Sequence, residues 1–390
     1  MVNRPGISNR TAPGIKPAER SVRVRWDSTL LLIVLTLALL GFLMILSASA
    51  PAAQLYLSDS LFFFKKHFLW GLVGIAAMAL GANLAIDRLK VLARPILVLS
   101  AALLVATYLP DLGVAKLGAA RWLHLGPFSF QPSEFAKVAL VIYLADILSR
   151  KQHQGWTFQD FRQALLPVGG TLGLVMFQPD LGTTLILAAS AATMLLCAGT
   201  SPFILFACST FAGLGAAFHV SHTAYQRDRF LAFLDPWAHA KGIGFQIIQS
   251  LLAIGSGGIL GTGWGQGKQK LFYLPIQHTD FIFAVLAEEL GLIGTIGVVL
   301  LFLIFAQRGF AIARHGRGMH AQLMAVGLTS SIVFQAFLNI AVVTAAVPTT
   351  GVPLPLLSFG GTSLVMTFFA VGLLLSISRT VPVRKRSEIC

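Results

Sequence analysis

Ten apolar runs, most of them near the twenty residues a helix needs to cross the hydrocarbon of a bilayer, decide most of what this chain can fold into. They cover residues 28–50, 67–84, 92–110, 133–148, 161–178, 181–199, 202–220, 281–306, 321–347 and 357–378. Hydrocarbon offers no water to a backbone amide, so a spanning segment satisfies its own hydrogen bonds, and a single run does that as a helix. Composition agrees: 11% of the 390 residues are charged and 56% are hydrophobic, where a soluble domain carries about a quarter charged residues. The expected fold class is an all-α polytopic membrane protein of about ten transmembrane helices. A long extracytoplasmic loop is expected between spans 7 and 8.

Charge sets the expected orientation. With the N-terminus in the cytoplasm, nineteen of the 29 Lys and Arg residues fall on inside segments. Lys65, Lys66, Lys116, Arg121, Arg227, Arg229, Lys241, Lys268 and Lys270 fall outside, and Lys137 lies within a span. That bias favours cytoplasmic N- and C-termini. It also accounts for the net charge of +14 without nucleic acid. The expected organisation is a disordered basic cytoplasmic tail over 1–26, a transmembrane domain over 27–379 with its large outer loop at 221–280, and a cytoplasmic tail over 380–390. The first tail lacks the short apolar core and cleavage site of a secretory signal. Three cysteines, Cys197, Cys208 and Cys390, form no disulfide or metal pattern.

Several polar groups stand where hydrocarbon makes them costly. Gln131-Pro132-Ser133-Glu134 reads as a helix start, with proline in the first turn. Glu134 and Lys137, three apart, share a helix face. They form either a structural ion pair or a charged wall of a polar cavity. Asp180, in Gln178-Pro179-Asp180-Leu181-Gly182, either caps the next helix or belongs to a site. Asp280 opens the eighth span beside His278 and Thr279, with Glu288 and Glu289 about two turns deeper. It either complements a helix dipole or does chemistry. Ala284, Ala287 and Gly291 make a small-residue stripe suited to close helix packing.

The Pro/Gly-dense segment 348–363, which includes Ser358, Gly360 and Gly361, excludes a continuous helix. Irregular backbone of this kind is tolerated where it is buried in protein or lines a water-filled cavity. The glycine-rich run ending Gly267-Lys268-Gln269 is not a phosphate loop. A P-loop needs glycine where Thr262 stands and Ser or Thr where Gln269 stands. The polar groups collect on the extracytoplasmic side, where no nucleotide is expected. A group transfer there needs an already activated donor, and a lipid-linked diphosphate qualifies. Basic residues would hold its phosphates, and a carboxylate would take the proton of an attacking hydroxyl.

These motifs, in order and at matching spacing, resemble the SEDS family (shape, elongation, division and sporulation), the FtsW/RodA group. The resembling stretches are Gly118-Ala119-Ala120-Arg121-Trp122, Gln131-Pro132-Ser133-Glu134 with Lys137, and Gln178-Pro179-Asp180-Leu181-Gly182. Tyr225-Gln226-Arg227, His278–Phe283 with Glu288-Glu289, and Ser358-Phe359-Gly360-Gly361 complete the set. The resemblance implies ten spans and a peptidoglycan glycosyltransferase that polymerises lipid II and releases undecaprenyl diphosphate. It implies a divalent metal (Mg or Mn) and no nucleotide. Asp280 matches the family's essential outer-loop aspartate and is a possible metal ligand. Arg121, Glu134 and Lys137 match polar cavity positions; Asp180, Arg227, His278, Thr279, Ser358, Gly360 and Gly361 complete the candidate substrate-binding set.

The implied partners are a class B penicillin-binding protein, whose membrane helix is expected on the later spans, and other divisome proteins. The implied location is the bacterial inner membrane, at the septum if the division branch of the group is the right one. The tail, Ser47-Ala48-Ser49 and Phe62-Phe63-Phe64-Lys65 lean that way. An elongation polymerase, a lipid II flippase and a non-catalytic scaffold are the rival readings.

Overall fold

The computed structural model describes residues 26–109, 113–116, 119–125, 128–150, 158–270 and 278–379. The expected tails (Trp26 apart) and residues 271–277 lie outside the described residues.

Ten helices coincide with the ten apolar runs. They are α1 (Ser28–Leu57), α2 (Phe62–Asn83), α3 (Ile86–Ala106), α4 (Pro132–Ser149), α5 (Phe158–Phe177), α6 (Leu181–Cys197) and α7 (Pro202–His222), then α10 (Ile282–His315), α11 (Met319–Val343) and α12 (Gly361–Arg379). Seven of them, α1, α2, α3, α7, α10, α11 and α12, are long and apolar enough to cross a membrane; α6 is a shorter apolar helix. Helix α4 carries Glu134, Lys137 and Asp146. The starts follow local chemistry. Asp27 accepts from the amide of Leu30 at 3.0 Å, Pro132 occupies the first turn of α4, and Asp180 caps α6 through the amide of Thr183 at 3.2 Å.

Three features depart from the expectation. First, the segment between α3 and α4 forms a small antiparallel sheet, β1 (Gly113–Lys116), β2 (Ala119–Leu125) and β3 (Phe128–Phe130), in the order β1-β2-β3. Strands this short carry too few alternations to declare themselves in sequence. Second, the loop after α7 holds two helices, α8 (Ala224–Leu234) and α9 (Ile243–Gly257). Helix α9 is apolar but, at 15 residues, too short to span. It buries Ile247, Ile248 and Ala253 and donates from Ser250 Oγ to the carbonyl of Val343 at 2.7 Å.

Third, the eighth span is broken. Gly291 has φ 64° and ψ −162° inside α10, a region essentially restricted to glycine. The glycine-rich run after α9 enters the break. Thr262 and Gly263 donate to the carbonyls of Glu288 and Glu289 at 2.9 and 3.1 Å, while Leu292 and Ile293 donate to Gly258 and Ile259 at 2.9 and 3.3 Å. Another backbone thus supplies the hydrogen bonds that the helix gives up, which is how an interruption survives where water is scarce. A side chain on Gly261 would sit 2.2 Å from the carbonyl of Glu289, and one on Gly257 2.0 Å from that of Ala287. The glycines at 257 and 261 therefore let their backbone lie directly against that of α10 at Ala287 and Glu289.

Candidate active site

Asp280 lies just before α10 and is held from two sides. Asn339 on α11, itself 1% exposed, donates to the carbonyl of Asp280 at 2.7 Å and to that of Val352 at 2.8 Å. Gly351, at φ 74°, faces the carboxylate; a side chain there would come within 3.5 Å of Oδ2. Thr279 hydrogen-bonds the carboxyl. One turn from Asn339, Gln335 donates to the carbonyl of Pro353 at 2.9 Å. Two carboxamides at i and i+4 on α11 thereby grip successive carbonyls of the Pro/Gly segment.

Burial pushes the pKa of Asp280 up from its ordinary 3.8 to about 6, the guanidiniums of Arg229 and Arg121 pull it back, and the carboxylate of Asp180 pushes it up. These charges come from separate elements of the fold. Arg121 on β2 donates to the carbonyls of Gln178, at 2.9 Å, and Pro179. Gln226 on α8 donates to the carbonyl of Pro179 at 2.9 Å. Arg229, three residues on and so on the same face of α8, donates to the carbonyl of Thr349 at 3.1 Å.

A second cluster lies nearby. Lys137 and Glu134 pair at 2.9 Å with side chains 7% and 2% exposed, and Lys137 also donates to Gln335 Oε1. Both line a cavity of about 20 Å³ with Ser331 and Thr367, room for about one water.

The other sequence candidates fall elsewhere. Arg227 is exposed on α8, with Asp228 4.0 Å away, and Arg229 is the guanidinium beside Asp280. His278 packs its ring against Phe63 at 4.6 Å and Phe359 at 5.6 Å. Burial lowers its pKa to about 4, and its carbonyl accepts from the amide of Phe359 at 2.9 Å. Ser358 accepts from the amide of Leu354 at 2.8 Å, Gly360 accepts from that of Leu364 at 2.9 Å, and Gly361 packs against Trp70. These three shape the hinge.

Glu288 and Glu289 bind the glycine-rich loop. Glu288 accepts from the amide of Lys268 at 2.7 Å, and Glu289 accepts from that of Gly265 at 3.0 Å. Sequence reasoning missed Gln335 and Asn339, although two carboxamides four apart in an apolar span are a signal of their own.

Among the described residues, no three His, Cys, Asp or Glu side chains come together as a metal-binding group. Asp280, whose carboxyl is raised by burial and by Asp180, still suits a hard cation. Magnesium is commonly bound by one or two carboxylates with the remaining ligands from phosphates and water.

A bundle of apolar helices with an aspartate, two arginines and a Pro/Gly hinge gathered at the start of one of them defines a polytopic membrane protein with a polar site at the bundle's end. The particular family follows from comparison. Residues 27–382 match the model of the FtsW/RodA/SpoVE family, described as cell cycle protein, and the chain belongs to that family. It is 40% identical over 358 residues to a probable peptidoglycan glycosyltransferase FtsW of Geobacter sulfurreducens, covering 91% of this chain and 95% of that one. It is 40% identical over 361 residues to the stage V sporulation protein E of Bacillus subtilis, covering 90% and 96%. A chain from a peptidoglycan synthase complex superposes with a TM-score of 0.75 at 31% identity, covering 91% and 98%. The rod shape determining protein RodA of Thermus thermophilus does so with a TM-score of 0.69 at 27% identity, covering 92% and 98%.

Proposed function

We propose that this integral membrane protein is a peptidoglycan glycosyltransferase that polymerises lipid II into glycan strands at the outer face of the bacterial inner membrane and releases undecaprenyl diphosphate. The observation that carries this reading is the setting of Asp280. Its carboxyl has a pKa of about 6, close to neutral pH, where a general base works best. Asp280 takes the proton of the acceptor sugar's hydroxyl as that oxygen bonds to the anomeric carbon of the donor. The bond from that carbon to the diphosphate breaks, and the electron pair leaves with the lipid diphosphate. Arg121 and Arg229 add positive potential where that charge develops. A divalent ion, Mg or Mn, held mainly by the substrate's diphosphate beside Asp280, would neutralise part of the leaving charge.

The match to FtsW relatives at 40% identity, against 27% for a RodA, supports a septal role in cell division. The likeness to a chain of a peptidoglycan synthase complex supports a class B penicillin-binding protein as partner, with other divisome proteins around the pair. Both termini are cytoplasmic in this reading, which the bias of Lys and Arg supports.

The experiment is glycan polymerisation from lipid II by the purified protein with its cognate penicillin-binding partner, wild type beside Asp280→Ala. Polymer from wild type alone is the expected result. Polymer from both keeps the enzyme and removes Asp280 from its chemistry. Polymer from neither, with a partner proven active, turns the reading towards transport or scaffolding.

A further inference from the structure

We propose that Asn339 is the positioning residue of the transferase site, holding the Asp280 main chain and the wall opposite its carboxylate in one register. The inference rests on the proposed function for its kinetic arm only. Three observations carry it. The Nδ2 group of Asn339 donates both of its hydrogens, one to the carbonyl of Asp280 at 2.7 Å and one to that of Val352 at 2.8 Å. Val352 follows Gly351, the residue that faces Asp280 Oδ2. A single amide therefore ties together the residue that bears the carboxylate and the segment against which the carboxylate rests.

The site needs such a tether. Asp280 stands outside regular structure, before the first turn of α10, and the segment from 344 to 360 is irregular. Neither has a helical hydrogen-bond ladder to fix it at that point. Helix α11 does, and its Asn339 lies 1% exposed in the packed interior. A buried carboxamide with both donors engaged has one rotamer that satisfies them, so it transmits the position of α11 to both partners. Gln335, one turn earlier, holds Pro353 and accepts from Lys137, so α11 fixes the hinge at two adjacent points. Of these two carboxamides, Asn339 is the one that reaches the aspartate. Among the described residues its Oδ1 is buried without a partner, so the two donor bonds outweigh an unsatisfied acceptor, which costs stability.

A group that acts through Asp280 should alter turnover and leave substrate affinity alone. The test compares wild type, Asn339→Leu and Asn339→Gln as full chains in complex with the penicillin-binding partner. Lipid II polymerisation is followed against substrate concentration, and backbone hydrogen–deuterium exchange is read at 278–283 and 351–353. Asn339→Leu is expected to lower kcat at least tenfold with KM within about twofold, on the scale of misplaced catalytic groups. It should also raise exchange in both segments. Asn339→Gln keeps a donor and should recover part of kcat.

Wild-type kcat in Asn339→Leu overturns the inference, and so does a raised KM at unchanged kcat. Exchange unchanged in both segments overturns it even if the wild type makes no polymer, the outcome that would count against the proposed function instead. If Asn339→Leu does not fold, Asn339→Gln and Asn339→Ser carry the same readouts, and equal activity in all folded variants overturns the proposal.

Discussion

Lys270 of the glycine-rich loop and Glu289 of α10 pair at 2.8 Å with side chains 6% and 0% exposed. Ser47 of α1 donates to Glu289 at 2.7 Å and accepts from Lys270 at 2.9 Å, so the pair binds three segments at the break in α10. Both charges have left water together, and removing one strands the other. Glu289→Gln or Lys270→Met is expected to cost about 3–5 kcal/mol, and the double change to Leu and Met should recover much of that. The pair of Arg308 with Asp27, at 2.6 Å, leaves Arg308 41% exposed. Asp27 itself is 7% exposed but keeps the amide of Leu30 as a partner, so Arg308→Met should cost about 1–3 kcal/mol, less than the loss of either Lys270 or Glu289. Thermal unfolding of the four variants in one detergent checks the order; equal costs at the two pairs would contradict it.

Gly291 cannot carry a side chain. Its φ of 64° is open to glycine, and an added Cβ would lie 2.3 Å from the Gly261 amide nitrogen. Gly291→Ala should lose at least about 1–3 kcal/mol from backbone strain alone, with the steric overlap added. It should also reduce polymerisation, because the segment that displaces is the one carrying Asp280. The same unfolding assay and the lipid II assay measure both. A stable, active Gly291→Ala protein would mean that α10 is continuous.

Burial of Asp280 makes stability depend on pH. Its folded pKa of about 6 exceeds its ordinary 3.8, so between those values the folded state holds more proton than the unfolded state. Stability contributed by this group is therefore present below about pH 4, is lost as the pH rises to about 6, and is level above that. Asp280→Asn removes that dependence. It should be inactive and, at neutral pH, at least as stable as wild type, with its advantage growing from pH 4 to 6. Unfolding midpoints against pH decide it; an advantage that grows as the pH falls has the sign wrong.

Much of the frame was legible in the sequence. The ten apolar runs became ten helices because span length and apolarity are local properties, and Pro132 and Asp180 began helices for local reasons too. The break at Gly291 was not legible. A glycine in an apolar run reads as a packing residue, and whether the helix parts there depends on a second backbone, 258–263, arriving to take its hydrogen bonds. The choice between Arg227 and Arg229 also lay outside the sequence. Both are basic and two apart, and the rotation of α8 decides which one faces the site. Gln226, buried at 5%, sets that rotation, because its neighbour at i+3 shares its face.

The sequence by itself determined that this chain lives in a membrane, roughly where its apolar helices lie, and which family motifs it carries. Those properties follow from hydrophobic length, from caps and from short motifs, each contained within a few turns. Only the tertiary structure decided which charges meet. Arg121, Asp180, Arg229 and Asp280 come from separate elements, and Asn339 joins Asp280 to Val352 across a further 59 and 13 residues of chain. Where water is scarce each buried polar group must find its partner in the fold. Those partners are chosen by how the helices pack, which no local pattern records.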